Sequence, residues 1–452
     1  MVKSKILLTG LALSQAPNLI SAKKVRGLDL SEISKTASNW WTQLQARIQE
    51  NLKDKNAEQL FEKLAKKFKK VYKDKECWEE AFQNFAENLE EVKKNPNLTI
   101  WNEFFDMNKE EYGQFRLTKT MKAEDYHNNP TKRKLLEPVA GGAYWPIDIP
   151  DWIKDCADTD AGCGLGSIEF PWECMPAPDF ENTGIDYPAT VDWTTRENPL
   201  ELIAVTPVKD QGICGSCYSF AGTGALEGLM LREKKVSGSK TKGGLKKNKR
   251  TWQGLSEQEI INCMDDNRRK FGPFVNHGCN GGWPSNVFLY STVREAIRPY
   301  ENLEFPYVSG DNKNIGECSF ADKTLGASEN AFSQDFIPGI CYSTEKDNEQ
   351  QLMRALYHHG PIAVIIDAST VEFQLYKTGI LDPAGCSKNS LNHAVLLVGY
   401  GEEENGEKFW KIKNSWGDWW GDEGYVKLAR NGENTCGVTS VATYVTSENY
   451  YD

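Results

Sequence analysis

Three residues far apart in the chain carry side chains suited to nucleophilic catalysis: Cys217, His393 and Asn414. A thiolate attacks a carbonyl carbon more readily than water does, but a free thiol with a pKa of about 8.5 is mostly protonated at neutral pH. A neighbouring imidazolium and the positive end of a helix dipole both lower that pKa. A carboxamide can hold the imidazole in one tautomer and orientation. The three groups together indicate acyl transfer through a cysteine nucleophile.

The sequence around each of these residues suggests how it is positioned. Cys217 precedes a helical pattern over residues 220–232, so it could open a helix. His393 precedes the apolar run 394–398, which is typical of a buried strand. Asn414 begins Asn-Ser-Trp-Gly after the strand-like segment 408–413. A lone histidine beside a strand is usually a core residue and a lone asparagine a turn residue, but the combination favours a catalytic site.

Cys214 and Cys217 also form a C-x-x-C pair, which alone could be a redox dithiol or half of a zinc site. A redox pair is expected in a small βαβ domain and gives no role to His393 or Asn414. A zinc site needs a second pair at short spacing, and the other ten cysteines show none. We therefore favour a peptidase, and we predict no metal and no cofactor.

These motifs resemble the papain and cathepsin peptidases over about residues 187–445. The resemblance implies an α+β fold with two lobes and a cleft between them. The helical lobe would carry Cys217, and the β-barrel-like lobe would carry His393 and Asn414. It also implies that Gln211 joins the Cys217 backbone N–H in stabilising the oxyanion, and that Trp416 shields the His–Asn hydrogen bond from water.

The resemblance further implies a pocket that prefers an apolar residue two positions before the scissile bond. Its glycines would let an extended peptide approach the backbone; the alternative is that most of these residues are simply core. The candidates are Gly281, Gly282, Trp283, Pro284, Ile365, Leu391, Ala394, Trp416, Trp420 and Val441. The disulfides implied by the family pattern are Cys214–Cys279, Cys263–Cys318 and Cys386–Cys436.

Residues 45–95 carry two amphipathic patterns that predict a helical hairpin. Their apolar positions are Leu60, Leu64, Phe68, Val71, Trp78, Phe82, Phe85, Leu89 and Val92. This region resembles the inhibitory propeptide of cathepsin-like zymogens through Phe85, Asn88, Val92, Asn102, Phe104 and Asp106. The resemblance implies that residues 45–115 inhibit the peptidase domain, 187–452, and that the following strand crosses the cleft. Acid would weaken this inhibition by protonating paired carboxylates such as Asp106.

Residues 116–186 form a proline-rich linker with three cysteines, Cys156, Cys163 and Cys174. With Cys341 these allow three pairings. One bridge within the linker and one from the linker to Cys341 would keep the linker attached after a cut near Asp186. The alternative is a discarded activation peptide. A separate basic stretch, 234–251, is expected to be a solvated loop or a site of proteolysis, with an anionic surface as its alternative partner.

The composition narrows the setting of the protein. The net charge of −11 argues against a nucleic-acid partner, and no run approaches the ~20 apolar residues of a membrane span. A basic start and the apolar run 6–13 resemble a secretory signal over residues 1–22, with an ordinary N-terminal helix as the alternative. Twelve cysteines suit the secretory pathway, so we expect a lysosomal, vacuolar or extracellular protein.

We therefore predict a cysteine peptidase that is made as a zymogen. It would hydrolyse protein or peptide substrates through a thioester on Cys217, with His393 acting first as base and then as acid. Its own propeptide would be an intramolecular inhibitor. An endopeptidase is favoured, and an exopeptidase of the same family stays open. The rivals from other classes are a non-catalytic binding scaffold and a C-x-x-C oxidoreductase.

Overall fold

The computed structural model describes residues 55–118, 121–123, 174–177, 185–233, 254–264, 276–293, 306–311, 313, 315–318 and 338–447. The predicted signal segment, the basic loop 234–251, Cys156 and Cys163 lie outside the described residues. The chain divides into two compact units between Ala86 and Glu87. Among the described residues, no helix combines the length and the apolarity needed to span a membrane.

The described part of the chain contains both helices and strands. The helices are α1 Lys55–Lys67, α2 Lys75–Lys94, α3 Lys109–Arg116, α4 Cys217–Arg232, α5 Glu257–Cys263, α6 Pro284–Val293, α7 Glu349–His359 and α8 Val371–Gln374. The strands are β1 Met121–Lys122, β2 Met175–Pro176, β3 Val191–Asp192, β4 Pro338–Ser343, β5 Ile362–Ile366, β6 Ile380–Leu381, β7 Ser390–Leu391, β8 His393–Glu402, β9 Lys408–Lys413, β10 Tyr425–Ala429 and β11 Ala442–Ser447.

The N-terminal unit is held together by aromatic side chains from α1 and the first half of α2. Phe61 lies 5.3 Å from Trp78 and 5.4 Å from Phe82, ring centre to ring centre. The predicted hairpin of two helices is present, but the prediction that Val71 belongs to the apolar face of the first helix is wrong. Val71 is 92% exposed, because α1 ends at Lys67 and the chain turns at Lys69 with a φ of 54°.

The second unit is built on one large sheet with α4 packed against it. The strands run in the order β2-β4-β11-β5-β8-β9-β10-β6, and β3 pairs with β8. β5 and β8 are buried almost throughout, which explains their continuous apolar sequence. The predicted α+β class is confirmed. Among the described strands, β2 and β6 end the path and do not pair with each other, so the sheet stays open rather than closing into a barrel.

Four disulfides fasten the described part of this unit. Three of them, Cys214–Cys279, Cys263–Cys318 and Cys386–Cys436, are the pairs that the resemblance implies. The fourth joins Cys174 of the linker to Cys341 on β4, one of the pairings that the sequence left open. Two described cysteines, Cys77 and Cys217, are free. Cys217 therefore has no disulfide to Cys214, which removes the basis of the C-x-x-C redox reading.

The bridge at Cys341 gives the first prediction, because β2 also pairs in parallel with β4. Activation by a cut near Asp186 should leave the linker bound to the peptidase domain. The activated enzyme should release a linker fragment on a reducing gel and none on a non-reducing gel. Replacing both Cys174 and Cys341 with serine should release the fragment without reductant. If reduction of the activated wild-type enzyme frees nothing, the linker is a discarded peptide.

Candidate active site

Cys217 is the first residue of α4 and is 1% exposed. Its Sγ accepts a hydrogen bond from the backbone N–H of Ala394, at 3.3 Å. Burial raises the pKa of this thiol to about 11, although the N–H groups of Ala394, Tyr218 and Cys217 itself act in the opposite direction. The helix start thus presents N–H donors and positive potential to a thiol that burial holds in its protonated form.

His393 begins β8, next to the residue that donates to the thiol. Its Nε2 lies 2.8 Å from Oδ1 of Asn414, which also accepts the N–H of Ser415. Because that oxygen can only accept, Nε2 must donate, and the neutral ring then keeps its lone pair on Nδ1. Nδ1 is buried and has no hydrogen-bond partner among the described residues. The ring is therefore fixed in the tautomer that can accept a proton from the thiol.

Two indoles predicted to bind substrate take different positions. Trp416 stacks on His393 with ring centres 4.7 Å apart, and it is completely buried. Trp420 packs behind it, 5.1 Å from Trp416 and 5.0 Å from Phe373. Trp416 excludes water from the His–Asn pair, whereas Trp420 supports Trp416 from the core.

Gln211 is buried beside the nucleophile, and its side chain is held at both ends. The hydroxyl of Ser415 donates to its Oε1 at 2.7 Å, and its Nε2 donates to the carbonyl of Cys214 at 3.0 Å. The same Nε2 donates to the carbonyl of Arg116 at 3.2 Å. The Gln211 Nε2 group, expected to donate to the oxyanion, thus donates to a carbonyl oxygen from the N-terminal part of the chain.

A buried ion cluster fixes the Gln211 segment to the helix that carries Cys217. Lys209 donates to Glu227 of α4 at 2.9 Å and to Glu257 of α5 at 2.5 Å. Both carboxylates are 1% exposed. Burial alone would lower the pKa of Lys209, but the two carboxylates raise it above its ordinary value. Such a cluster is expensive to break, because removing one partner leaves uncompensated buried charge.

Residues 98–123, here called the pro-segment, run along the face that bears these groups. Asn102 donates to the carbonyl of Gln374 at 3.1 Å, and the ring of Phe104 lies 5.6 Å from Trp416. Further along, Thr118 donates both its N–H and its hydroxyl to the carbonyl of Asn392. These contacts continue past residue 115 as far as Ala123, whose N–H donates to Asn389.

Several apolar pocket candidates belong to one buried cluster, against which a side chain of the pro-segment packs. Met121 pairs with Leu391 and packs against a buried cluster that includes Ala394, Ile365 and Val441, with Trp283 at its edge. Pro284 starts α6 beside it. Gly281 has a φ of +106°, and a Cβ there would meet Cβ of Thr118 at 3.2 Å. Gly282 lies against Asn276 instead.

Two charged residues of this face were missed by the sequence reasoning. Arg116, 3% exposed, donates from Nη1 to Oδ1 of Asp210 and to the carbonyl of Gly212, both at 2.8 Å, and from Nη2 to Glu103. Asp210 immediately precedes Gln211. The one available signal was a carboxylate next to a predicted catalytic residue, which by itself does not reveal a partner 94 residues away.

The covered site leads to the second prediction, which concerns the reactivity of the thiol. Burial, together with the charge of Arg116, lowers the pKa of His393 to about 4, while its hydrogen bond to Asn414 acts in the opposite direction. Between that value and a thiol pKa of about 11, the covered form holds a neutral thiol and a neutral imidazole. In a Cys77→Ala background, iodoacetamide at pH 7 should modify the latent protein about 10²-fold more slowly than a free cysteine.

The sign of the pH dependence follows from His393. Its pKa in the covered site is below the ordinary 6.5. The neutral imidazole therefore favours the covered state, in which the pro-segment lies over the site, over an uncovered state in which His393 titrates at its ordinary pKa. This contribution is complete above pH 6.5 and is lost as the pH falls toward 4, because His393 then becomes protonated. The full difference is about 3 kcal/mol. Alkylation, expressed relative to free cysteine at the same pH, should therefore accelerate on acidification within this window, since free cysteine itself reacts more slowly as its thiolate fraction falls. A latent protein that reacts as fast as free cysteine at pH 7 would contradict this account.

Comparison with known proteins places this geometry in a family. The profile of the papain family of cysteine proteases matches residues 187–446, more than half of the chain. A cathepsin L-like peptidase of Aedes aegypti is 39% identical over 271 residues, which are 60% of this chain and 67% of that protein. Cathepsin L1 of Drosophila melanogaster is 38% identical over 260 residues, 58% of each chain, so the match spans less than two thirds of that relative.

Solved precursor structures are similar over more of the chain. Digestive procathepsin L 3 of Tenebrio molitor has 26% identity and a TM-score of 0.57, covering 86% of this chain and 99% of that one. A recombinant stem bromelain precursor has 26% identity and a TM-score of 0.55, covering 87% and 99%. The similarity thus extends beyond residues 187–446 into the N-terminal region. The fold is papain-like, and the chain belongs to the papain family of cysteine proteases.

Proposed function

We propose that this chain is the zymogen of a cysteine endopeptidase whose catalytic residues are Cys217, His393 and Asn414. The supporting observation is the geometry of His393: Nε2 is bound to Asn414, Nδ1 is buried without a hydrogen-bond partner among the described residues, and the N–H of the next residue, Ala394, donates to the thiol. His393 takes the thiol proton, and the thiolate attacks the scissile carbonyl. The imidazolium then protonates the leaving amine, and a water deprotonated by His393 hydrolyses the thioester. Gln211 Nε2 and the Cys217 N–H stabilise the oxyanion.

We further propose that residues 45–115, extended by the contacts to Ala123, are an inhibitory propeptide. The carbonyl of Arg116 accepts a hydrogen bond from Gln211, the proposed oxyanion donor, and Met121 pairs with Leu391 and packs against the cluster that contains Ile365, Ala394 and Val441. Substrate and pro-segment therefore compete for the same groups. Residues 1–22 are proposed as a secretory signal, 116–186 as the linker and 187–452 as the peptidase domain, acting in a lysosome or vacuole or outside the cell.

The apolar pocket gives the third prediction, on substrate preference. Ile365 and Val441 are 1% and 2% exposed and bring no charge to the pocket, so an unpaired guanidinium would be costly to bury there. Peptides blocked at both ends should be cleaved with Leu, Val or Phe two positions before the scissile bond at least about tenfold better than with Arg. Val441→Glu should raise the cleavage rate of peptides that carry Arg two positions before the scissile bond.

This panel also tests the proposed reaction. Cleavage within blocked peptides supports an endopeptidase, whereas cleavage restricted to unblocked ends supports the exopeptidase. Equal rates for Leu and Arg would remove the proposed pocket. No cleavage of any peptide by the acid-activated protein would leave the non-catalytic scaffold as the better function.

A further inference from the structure

The contact between Arg116 and Asp210 bears on substrate binding as well as on latency. On activation Arg116 leaves the site, whereas Asp210 stays in the peptidase domain. Arg116 and Glu103 belong to the pro-segment, which must vacate the cleft before a substrate can bind, even where Cys174 keeps the rest of the linker attached. Asp210, the carbonyl of Gly212 and Trp419 belong to the peptidase domain and stay. The pro-segment thus displays an arginine bound at a place that becomes open when it leaves.

What remains at that place is a prepared acceptor for a cation. The N–H of Gly212 donates to Oδ1 of Asp210 at 2.9 Å, and the indole N–H of Trp419 lies 3.4 Å from its Oδ2. The carboxylate is oriented by its own domain, and the Trp419 ring lies 5.8 Å from the guanidinium carbon of Arg116. Carboxylate, carbonyl and aromatic face are the groups that bind guanidinium best. Asp210 keeps 40% exposure even with Arg116 bound.

The position along the cleft identifies which substrate residue would reach this acceptor. The pro-segment passes Gln211 at Arg116 and reaches the apolar pocket at Met121. Arg116 contacts both the proposed oxyanion donor and Asp210, whereas Met121 further along meets the pocket, so Asp210 lies at the scissile-bond end of this path and not at the pocket end. The pocket takes a residue that precedes the scissile bond, so Asp210 faces residues that follow it.

We propose that Asp210, Gly212 and Trp419 form a subsite for an arginine or lysine at the first or second position after the scissile bond. The inference rests on the proposed peptidase function and deepens it. The predicted substrates are peptides with an apolar residue before the cut and a basic residue after it. Arginine should bind better than lysine, because its planar fork can reach both the carboxylate and the Gly212 carbonyl.

The test uses internally quenched peptides that differ at one residue. Each has Leu two positions before the scissile bond, and Arg, Lys, citrulline or Glu at the first or second position after it. Citrulline keeps the shape of arginine without its charge. For the acid-activated wild-type enzyme we expect kcat/KM for Arg to exceed that for citrulline about fivefold, since the carboxylate is partly exposed. Glu should be the poorest of the four.

Variants assign that preference to Asp210. Asp210→Asn should reduce the Arg-to-citrulline ratio to about one, and Asp210→Glu should restore part of it. Asp418→Asn removes the same charge from an exposed position next to Trp419 and should leave the ratio near its wild-type value. Ratios are compared within one enzyme, so a change in the amount of folded protein cancels.

The outcomes separate this subsite from the proposed function. Cleavage of every peptide at one rate by the wild-type enzyme, or a ratio that survives Asp210→Asn, overturns the subsite and leaves the peptidase intact. An equal loss in Asp418→Asn would show long-range charge rather than a binding site, and would also overturn it. Failure to cleave even the citrulline peptide overturns the peptidase function itself.

Discussion

Replacing Cys217 with alanine should abolish peptide cleavage, with a loss in kcat of about 10⁴-fold or more, because nothing else in the site can form the thioester. The fold should survive. The side chain is free of disulfides, and its backbone remains at the start of a fully buried helix. The measurement is single-turnover cleavage of a blocked peptide by protein activated in trans, with thermal unfolding recorded in parallel.

Cys77 provides the matched control, since it is the other free cysteine among the described residues. Cys77→Ala should keep full activity after activation. Cys214→Ala should behave in a third way and lower the unfolding temperature, because loss of a native disulfide costs about 2–5 kcal/mol. Substantial activity in Cys217→Ala, or a disulfide between Cys217 and Cys214 found by mass mapping, would remove the thiol from the mechanism.

Replacing Phe104 with alanine should weaken inhibition by the propeptide about 10²-fold. The ring is completely buried and contacts Tyr112, Trp416 and Trp419, at 5.3, 5.6 and 5.4 Å between ring centres. Truncating a buried phenylalanine costs about 3–5 kcal/mol, and 3 kcal/mol corresponds to about a 10²-fold change in the inhibition constant. The measurement is inhibition of the mature enzyme at neutral pH by purified residues 45–123.

Trp101 is the matched control for Phe104, being a large aromatic residue of the same segment that is 42% exposed. Trp101→Ala should change the inhibition constant less than about threefold. If the wild-type fragment fails to inhibit at neutral pH, the pro-segment is not the source of latency. If Phe104→Ala inhibits as well as wild type, the aromatic contact is not what anchors it.

The residues proposed to carry the chemistry could be selected from the sequence because each lies in a distinctive local context. Cys217, His393 and Asn414 lie at the junctions of a helix and two strands whose apolar patterns are visible in the sequence. The apolar spacing gave a wrong prediction at Val71. The spacing continues to this residue, but the helix ends before it, because apolar spacing carries no information on the turn that ends a helix. The open sheet was also hidden, because strand pairing depends on contacts between distant segments.

The Arg116–Asp210 pair shows the same limit more sharply. Neither residue is unusual alone, and pairing of charges across 94 positions leaves no trace in one sequence. The linker bridge was accessible in part, because counting cysteines narrowed it to a few choices. Candidate functional residues were thus easier to predict than the residues that they contact in the folded protein.

The buried cluster of Lys209, Glu227 and Glu257 makes assembly of the site during folding independent of its uncovering during maturation. Its desolvation cost falls on folding, so the oxyanion donor and the nucleophile are set in place while the chain is still a precursor. Maturation then has nothing left to assemble and only uncovers what exists. Substitutions in the pro-segment alone can consequently shift the pH at which the precursor is activated, without changing the catalytic rate constant of the mature enzyme.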